Sequence, residues 1–184
     1  MKTKLLSLFV AAAALGSNAL ALTSGDPVEI DAVNRGRKVQ GDVPKAWEPG
    51  KVYVLECWAT WCGPCVAAIP HVDGLYDKYK DKGLRVIGMN VWEDDKGTVE
   101  KFVKGKGEGM SYPVVFTGDK GSAFSKKWLI PAKATGIPFA FVVKDGKLLF
   151  TTHPANLNDQ MIEGLLAGGA KQDEIVKSMS AKKE

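Results

Sequence analysis

Two hydrophobic periods follow one another in the middle of this chain. KVYVLECWA, residues 51–59, is a nearly continuous apolar run rich in valine and aromatics. Such a run predicts a central strand buried on both faces. From Gly63 the spacing changes: Val66, Ile69, Val72, Leu75, Tyr76 and Tyr79 recur at helical intervals, with Lys78, Lys80, Asp81 and Lys82 on the far side. Gly83 supplies a C-terminal stop. LRVIGMNV, residues 84–91, is a second buried strand. Strand, helix and strand make a parallel unit, whose crossover is expected to be right-handed.

The pattern continues with a helix near 95–106, a short strand at YPVVF (112–116), and a helix at GSAFSKKWL. FAFVV (139–143) and KLLFTT (147–152) flank Lys144-Asp145-Gly146, a tight turn that predicts an antiparallel hairpin. Two helices follow, near 157–167 and 171–181, separated by Gly168-Gly169. Residues 22–50 are mixed and rich in glycine, proline and charge. There, VEI (28–30) and RKVQ (37–40) read as a short hairpin or an edge strand. The whole predicts an α/β domain over 22–168, a mixed sheet flanked by helices, with a C-terminal helix and lysine-rich tail over 169–184.

Residues 1–21 fall outside that domain. MKTK is a charged start, LLSLFVAAAALG an apolar stretch too short to span a bilayer well, and Ala19-Leu20-Ala21 a small-x-small cleavage pattern. A signal peptide cleaved after Ala21 is expected, with an uncleaved membrane anchor as the alternative. Either places the domain in the periplasm or otherwise outside the cytosol, where disulfides persist. Without Lys2 and Lys4 the charge is 23 basic against 21 acidic side chains. That balance argues against nucleic acid or an anionic membrane surface as partner. No sustained heptad or long apolar edge suggests an oligomer, so a monomer is expected.

The candidate chemistry lies in ECWATWCGPCVAAIP, residues 56–70. Cys62 and Cys65 could be half a zinc site, a structural staple or a redox pair. Zinc needs four ligands, and the chain offers one pair, a separate Cys57, and two isolated histidines, His71 and His153. A staple closing a loop of two intervening residues constrains the unfolded chain little. The redox reading has positive support. Cys62 falls where the strand ends and the helix begins, so free N–H groups and the helix dipole favour its thiolate. Pro64 suits the first helical turn. Cys65, one turn on along the same face, is within disulfide reach. Position thus assigns Cys62 as nucleophile and Cys65 as resolver. Cys57 points to the other face of its strand and reads as an inert buried thiol. Trp58 reads as packing and Trp61 as a shield beside the sulfurs.

WATWCGPC resembles the active site of thioredoxin-like proteins. Pro70, five residues after Cys65, is similarly spaced to the proline that kinks their active-site helix. Thr135-Gly136-Ile137-Pro138 resembles their cis-proline loop, the alternative being an ordinary trans turn proline. The longer segment before Pro138, with its strand and helix, resembles the insert of TlpA-like and ResA-like secreted oxidoreductases. The resemblance implies a thioredoxin fold with substrate contacts at Trp61, Gly63, Pro64, Ile137 and Pro138. It also gives Glu56 a role: thioredoxins carry a buried acid at this strand position. A desolvated carboxyl there has its pKa raised and can take the Cys65 proton. The alternative is a polar side chain at the sheet's end facing solvent. Thioredoxins often pair this acid with a lysine on the next strand, where Gly88 stands here. The frequently basic position after the second cysteine is Val66, and Phe139 is bulkier than the family's usual residue after the cis-proline.

The resemblance further implies exchange with protein disulfides, fed by a membrane electron donor, without metal or organic cofactor. The Gly63-Pro64 dipeptide and Ile137 resemble reducing members, which include proteins acting in cytochrome c biogenesis. An oxidase or isomerase on the same fold, a peroxidase, and a non-catalytic binding module are the alternatives.

Overall fold

A computed structural model describes residues 21–181. The signal-peptide reading concerns residues that, except for Ala21, lie outside the described ones, as does the end of the lysine-rich tail.

Six strands form one sheet: β1 (Arg37–Gln40), β2 (Val52–Trp58), β3 (Leu84–Val91), β4 (Val114–Gly118), β5 (Phe139–Lys144) and β6 (Lys147–Thr152). Their spatial order is β1-β4-β3-β2-β5-β6. β2, β3 and β4 run parallel, while β5, β6 and β1 are antiparallel to their neighbours. β2 is therefore central, and every residue of it is buried, as its unbroken apolar run requires. The β5–β6 turn puts Asp145 and Gly146 both at positive φ, the twist a two-residue hairpin favours.

Side-chain alternation along β2 divides the core into two layers. Val52, Val54 and Trp58 face α2 (Gly63–Tyr79), α3 (Lys96–Lys106), α4 (Asp159–Ala167) and α5 (Gly169–Ala181), in one apolar cluster with Cys62, Cys65, Ile69, Val103, Ile162 and Met179. Tyr53, Leu55 and Cys57 face the other way, toward α1 (Asp31–Asn34), Phe124, Trp128 and Phe141. Helix α5 is thus packed on the domain, with Met179 buried.

Two expectations need correction, and a third gains detail. VEI forms no hairpin with RKVQ: Val28 donates its N–H to the Gly146 carbonyl at 2.8 Å, and the chain then enters α1. RKVQ is an edge strand, pairing with β4. β4 starts at Val114 rather than Tyr112, because Pro113 has no N–H for the ladder, although its carbonyl still accepts from Gly88 at 2.8 Å. GSAFSKKWL ends in one wide π turn, Ser125–Leu129, where Ile130 bonds back to the Ser125 carbonyl at 2.9 Å. Pro131 cannot extend it.

Candidate active site

The site forms at the carboxyl end of β2, where chain leaves the sheet and enters α2. Cys62 is the N-terminal cap of that helix, with an extended backbone at φ −88° and ψ 94°. Its Sγ accepts the Cys65 backbone N–H at 3.2 Å. This is the free amide a helix start must satisfy, and here a sulfur satisfies it. Cys62 and Cys65 are joined as a disulfide with Cα atoms 5.2 Å apart. Cys62 is 5% exposed and Cys65 fully buried. An incoming sulfur therefore meets Cys62 first. Gly63 and Pro64 are exposed beside it, and Trp61 is 60% exposed.

The loop before β5 closes the other side. The Ile137–Pro138 peptide is cis, and the Ile137 carbonyl oxygen lies 3.8 Å from Cys62 Sγ. Ile137, Pro138 and Phe139 are half-buried, and Phe139 packs edge-on against Phe141 with ring centres 5.0 Å apart. Phe139 is thereby drawn toward the core layer away from α2.

Glu56 is fully buried, so the solvent-facing alternative does not hold. It lies on the α2 side of β2, between Val54 and Trp58 in the alternation. Neither carboxyl oxygen has a hydrogen-bond partner. Burial pushes its pKa up to about 8. Its neighbours across the sheet are Gly88 on β3 and Ala140 on β5. No lysine, arginine or histidine is among the buried side chains of the described residues. Cys57 is buried and free on the opposite face, and burial together with the nearby Glu56 raises its thiol pKa.

Sequence reasoning missed a second acid. Glu93 is nearly buried just past β3. Its carboxylate accepts the Thr60 backbone N–H at 3.0 Å, the Thr60 hydroxyl, and Asn90 Nδ2 at 2.8 Å. Next to it, Trp92 takes the left-handed region at φ 56°, and its carbonyl accepts the Trp61 indole N–H at 3.2 Å. The turn carrying Cys62 is thus tied to the β3–α3 loop. A signal existed: parallel neighbours end at the same sheet edge, so polar residues closing β3 face the turn that closes β2.

His71 and His153 have ordinary partners. His71 Nε2 lies 2.8 Å from the Leu157 carbonyl, and His153 Nδ1 accepts the Ala155 N–H at 3.1 Å. Among the described residues, no group of three or more His, Cys, Asp or Glu side chains is arranged to hold a metal.

The Redoxin family profile matches residues 42–166. This chain belongs to the Redoxin family. The match takes in β2, α2, the Cys62–Cys65 pair, the Pro138 loop and all of β3 to β6. The chain is 35% identical over 118 residues to the thiol-disulfide oxidoreductase ResA of Bacillus thuringiensis, covering 63% of this chain. The match spans 62% of that relative's length. The fold matches a DsbF homologue from Corynebacterium diphtheriae, with TM-score 0.58, 20% identity, and coverage of 79% of this chain and 85% of that one. It also matches the thioredoxin domain of a thiol-disulfide oxidoreductase from Bacteroides vulgatus, with TM-score 0.53, 19% identity, and coverage of 70% and 86%. The Redoxin chain described here therefore has the thioredoxin fold.

Proposed function

We propose that this protein is a thiol–disulfide oxidoreductase that reduces disulfides of exported proteins. The observation that carries this reading is the Cys62–Cys65 disulfide at the first turn of α2, with Cys62 the less buried of the two and Cys65 behind it. The ResA likeness supports the same chemistry.

In the reduced protein, the Cys62 thiolate attacks one sulfur of a substrate disulfide. A Cys62–substrate mixed disulfide forms and the first substrate sulfur leaves as thiolate. The Glu56 carboxylate then takes the Cys65 thiol proton, directly or through a water. The Cys65 thiolate attacks Cys62 Sγ, forms the intramolecular disulfide, and releases the second substrate thiolate. Two electrons pass to the substrate, and the protein ends oxidised. Trp61, Gly63, Pro64, Ile137 and Pro138 frame the approach, with the Ile137 carbonyl beside Cys62 orienting the substrate backbone. No metal or organic cofactor enters this scheme. An exported domain of this kind needs a reductant, because the compartment outside the cytosol is kept oxidising. A membrane-bound dithiol carrier fits that need, and a cleaved leader or retained anchor over residues 1–21 fits the location.

Insulin-disulfide reduction with dithiothreitol as donor tests the activity. The parent is expected to turn over and Cys62→Ser to be inert. Equal activity in both overturns the site. Equilibration against a glutathione series sets the direction, and a potential at the strongly oxidising end replaces reductase by oxidase.

A further inference from the structure

Glu56 must carry a negative charge, at least transiently, to act as the base assigned to it above, and the inference drawn here rests on that reading. Among the described residues, no buried cation stands ready to support the charge. Its β3 neighbour is Gly88, and the space a side chain would fill there is taken. A Cβ at Gly88 would stand 2.9 Å from Tyr112 Cε2, 3.1 Å from Trp58 Nε1 and 3.4 Å from Val114 Cγ2. Paired residues of parallel strands point the same way, so that space adjoins the Glu56 carboxyl. Tyr112 Oη and Trp58 Nε1 are buried and have no hydrogen-bond partner, as is true of both Glu56 oxygens. Buried donors and acceptors rarely go unpaired, and here the Trp58 indole N–H, the Tyr112 ring and the strand position of Glu56 all meet at one glycine.

We propose that Tyr112 and Trp58 are positioning residues for Glu56, turning their O–H and N–H toward its carboxylate when it ionises, in place of a basic side chain. Neutral donors suit a group that must alternate between charged and protonated states. A fixed cation would hold the carboxylate ionised and weaken it as a base. The other titratable or charged groups around Glu56 are few. From α2 come Cys65, Cys62 and Asp73, and Asp73 already accepts the Ser111 N–H and hydroxyl at 2.6 and 2.9 Å. Cys57 is on the opposite face, Glu93 is engaged by Thr60 and Asn90, and β5 presents Ala140. Burial, with Glu56 and Asp73 nearby, holds the Tyr112 phenol well above its usual pKa, so it remains a donor.

The test follows the resolving step. A chromogenic aryl disulfide added to the reduced full chain releases one thiolate when Cys62 attacks and a second when Cys65 resolves. The rate of the second release is measured against pH. In the parent it should rise with an inflection near the Glu56 pKa, and Glu56→Gln should remove that inflection. If Glu56→Gln leaves the profile unchanged, the base reading itself fails. With that reading intact, Tyr112→Phe should move the inflection up by about one pH unit and slow resolution roughly tenfold at neutral pH. It should have no effect in the Glu56→Gln background. A Tyr112→Phe protein that melts earlier but keeps the parent inflection overturns the inference. Should that variant fail to fold, 3-fluorotyrosine incorporated throughout the parent strengthens the donor with little change of shape. It should lower the Glu56 carboxyl pKa read by carbon-13 NMR, and an unmoved value overturns the inference equally.

Discussion

The Glu93 carboxylate holds Thr60 twice, taking its backbone N–H at 3.0 Å on one oxygen and its hydroxyl on the other. The two residues are 33 positions apart, and the same carboxylate also accepts Asn90 Nδ2 at 2.8 Å. Thr60 is two residues before Cys62, so Glu93 fixes the turn that carries Cys62. Glu93→Ala leaves buried donors unpaired and is expected to cost about 2–4 kcal/mol of stability, with insulin reduction falling alongside. Glu93→Gln should be milder, since its amide can accept from Thr60 and Asn90 and donate to the Thr60 hydroxyl. Urea unfolding and insulin turnover on both variants check this order.

Cys57 is the immediate neighbour of Glu56 in sequence but belongs to the opposite layer of the core. Its burial and raised pKa make it a poor nucleophile. After reduction, two thiols should react quickly with an aromatic disulfide in the native protein, and the third only in denaturant. Cys57→Ala should keep insulin reduction within about twofold while losing about 1–2 kcal/mol of stability to the small cavity. Thiol counting and denaturant titration measure both.

What the sequence exposed and what it hid divide along range. β2, α2, β3 and the β5–β6 hairpin are visible because each states its own period and its own stop: the change at Gly63, the glycine at 83, the Asp145-Gly146 turn. The cysteine pair is visible because its chemistry depends on a spacing of three along one helix start. Glu93 and Tyr112 are not visible in that way. Each acquires meaning only when β3 or β4 is laid beside β2, and neither carries a local pattern that marks it. Tyr112 read as one more apolar strand residue, yet it precedes β4 and fills the space over Gly88. The reach of the VEI segment was hidden for the same reason, since its backbone partner is the β5–β6 turn more than a hundred residues away.

Helix α5 bears on where the folded unit ends. Met179 is buried, and Ile175 and Val176 pack against the same core layer as α2 and α4. The backbone turns between α4 and α5 through Gly168 and Gly169, both in the left-handed region at φ 71° and 55°. A chain ending after Gly168 uncovers Ile162 and Leu165 as well as losing Met179. It is expected to lose about 2–4 kcal/mol, of the order of one or two buried apolar side chains, and its urea midpoint should fall accordingly. An unchanged midpoint would make 169–184 an accessory tail.

Glu56 ties the redox site to stability through pH. Its folded pKa of about 8 lies above the ordinary value of 4.5 that the unfolded chain restores. Below the ordinary value both states hold the proton and Glu56 contributes no pH-dependent penalty. Between 4.5 and about 8 the unfolded chain ionises while the folded one does not, so stability falls as pH rises. At about 1.4 kcal/mol per unit, the full loss is about 5 kcal/mol by the upper end of that window. Above it both states are ionised and the loss levels off. Glu56→Gln removes this slope. Relative to the parent it should gain stability progressively from pH 5 to 8, with the difference smallest at pH 4. Urea titrations of the oxidised proteins across pH 4–9 measure it, and parallel curves for parent and variant would mean that Glu56 ionises as readily in the fold as out of it. The same variant, stabler at neutral pH, should resolve mixed disulfides more slowly than it forms them. Greater stability with a slower second step is the signature of an acid kept buried for the proton it exchanges with Cys65.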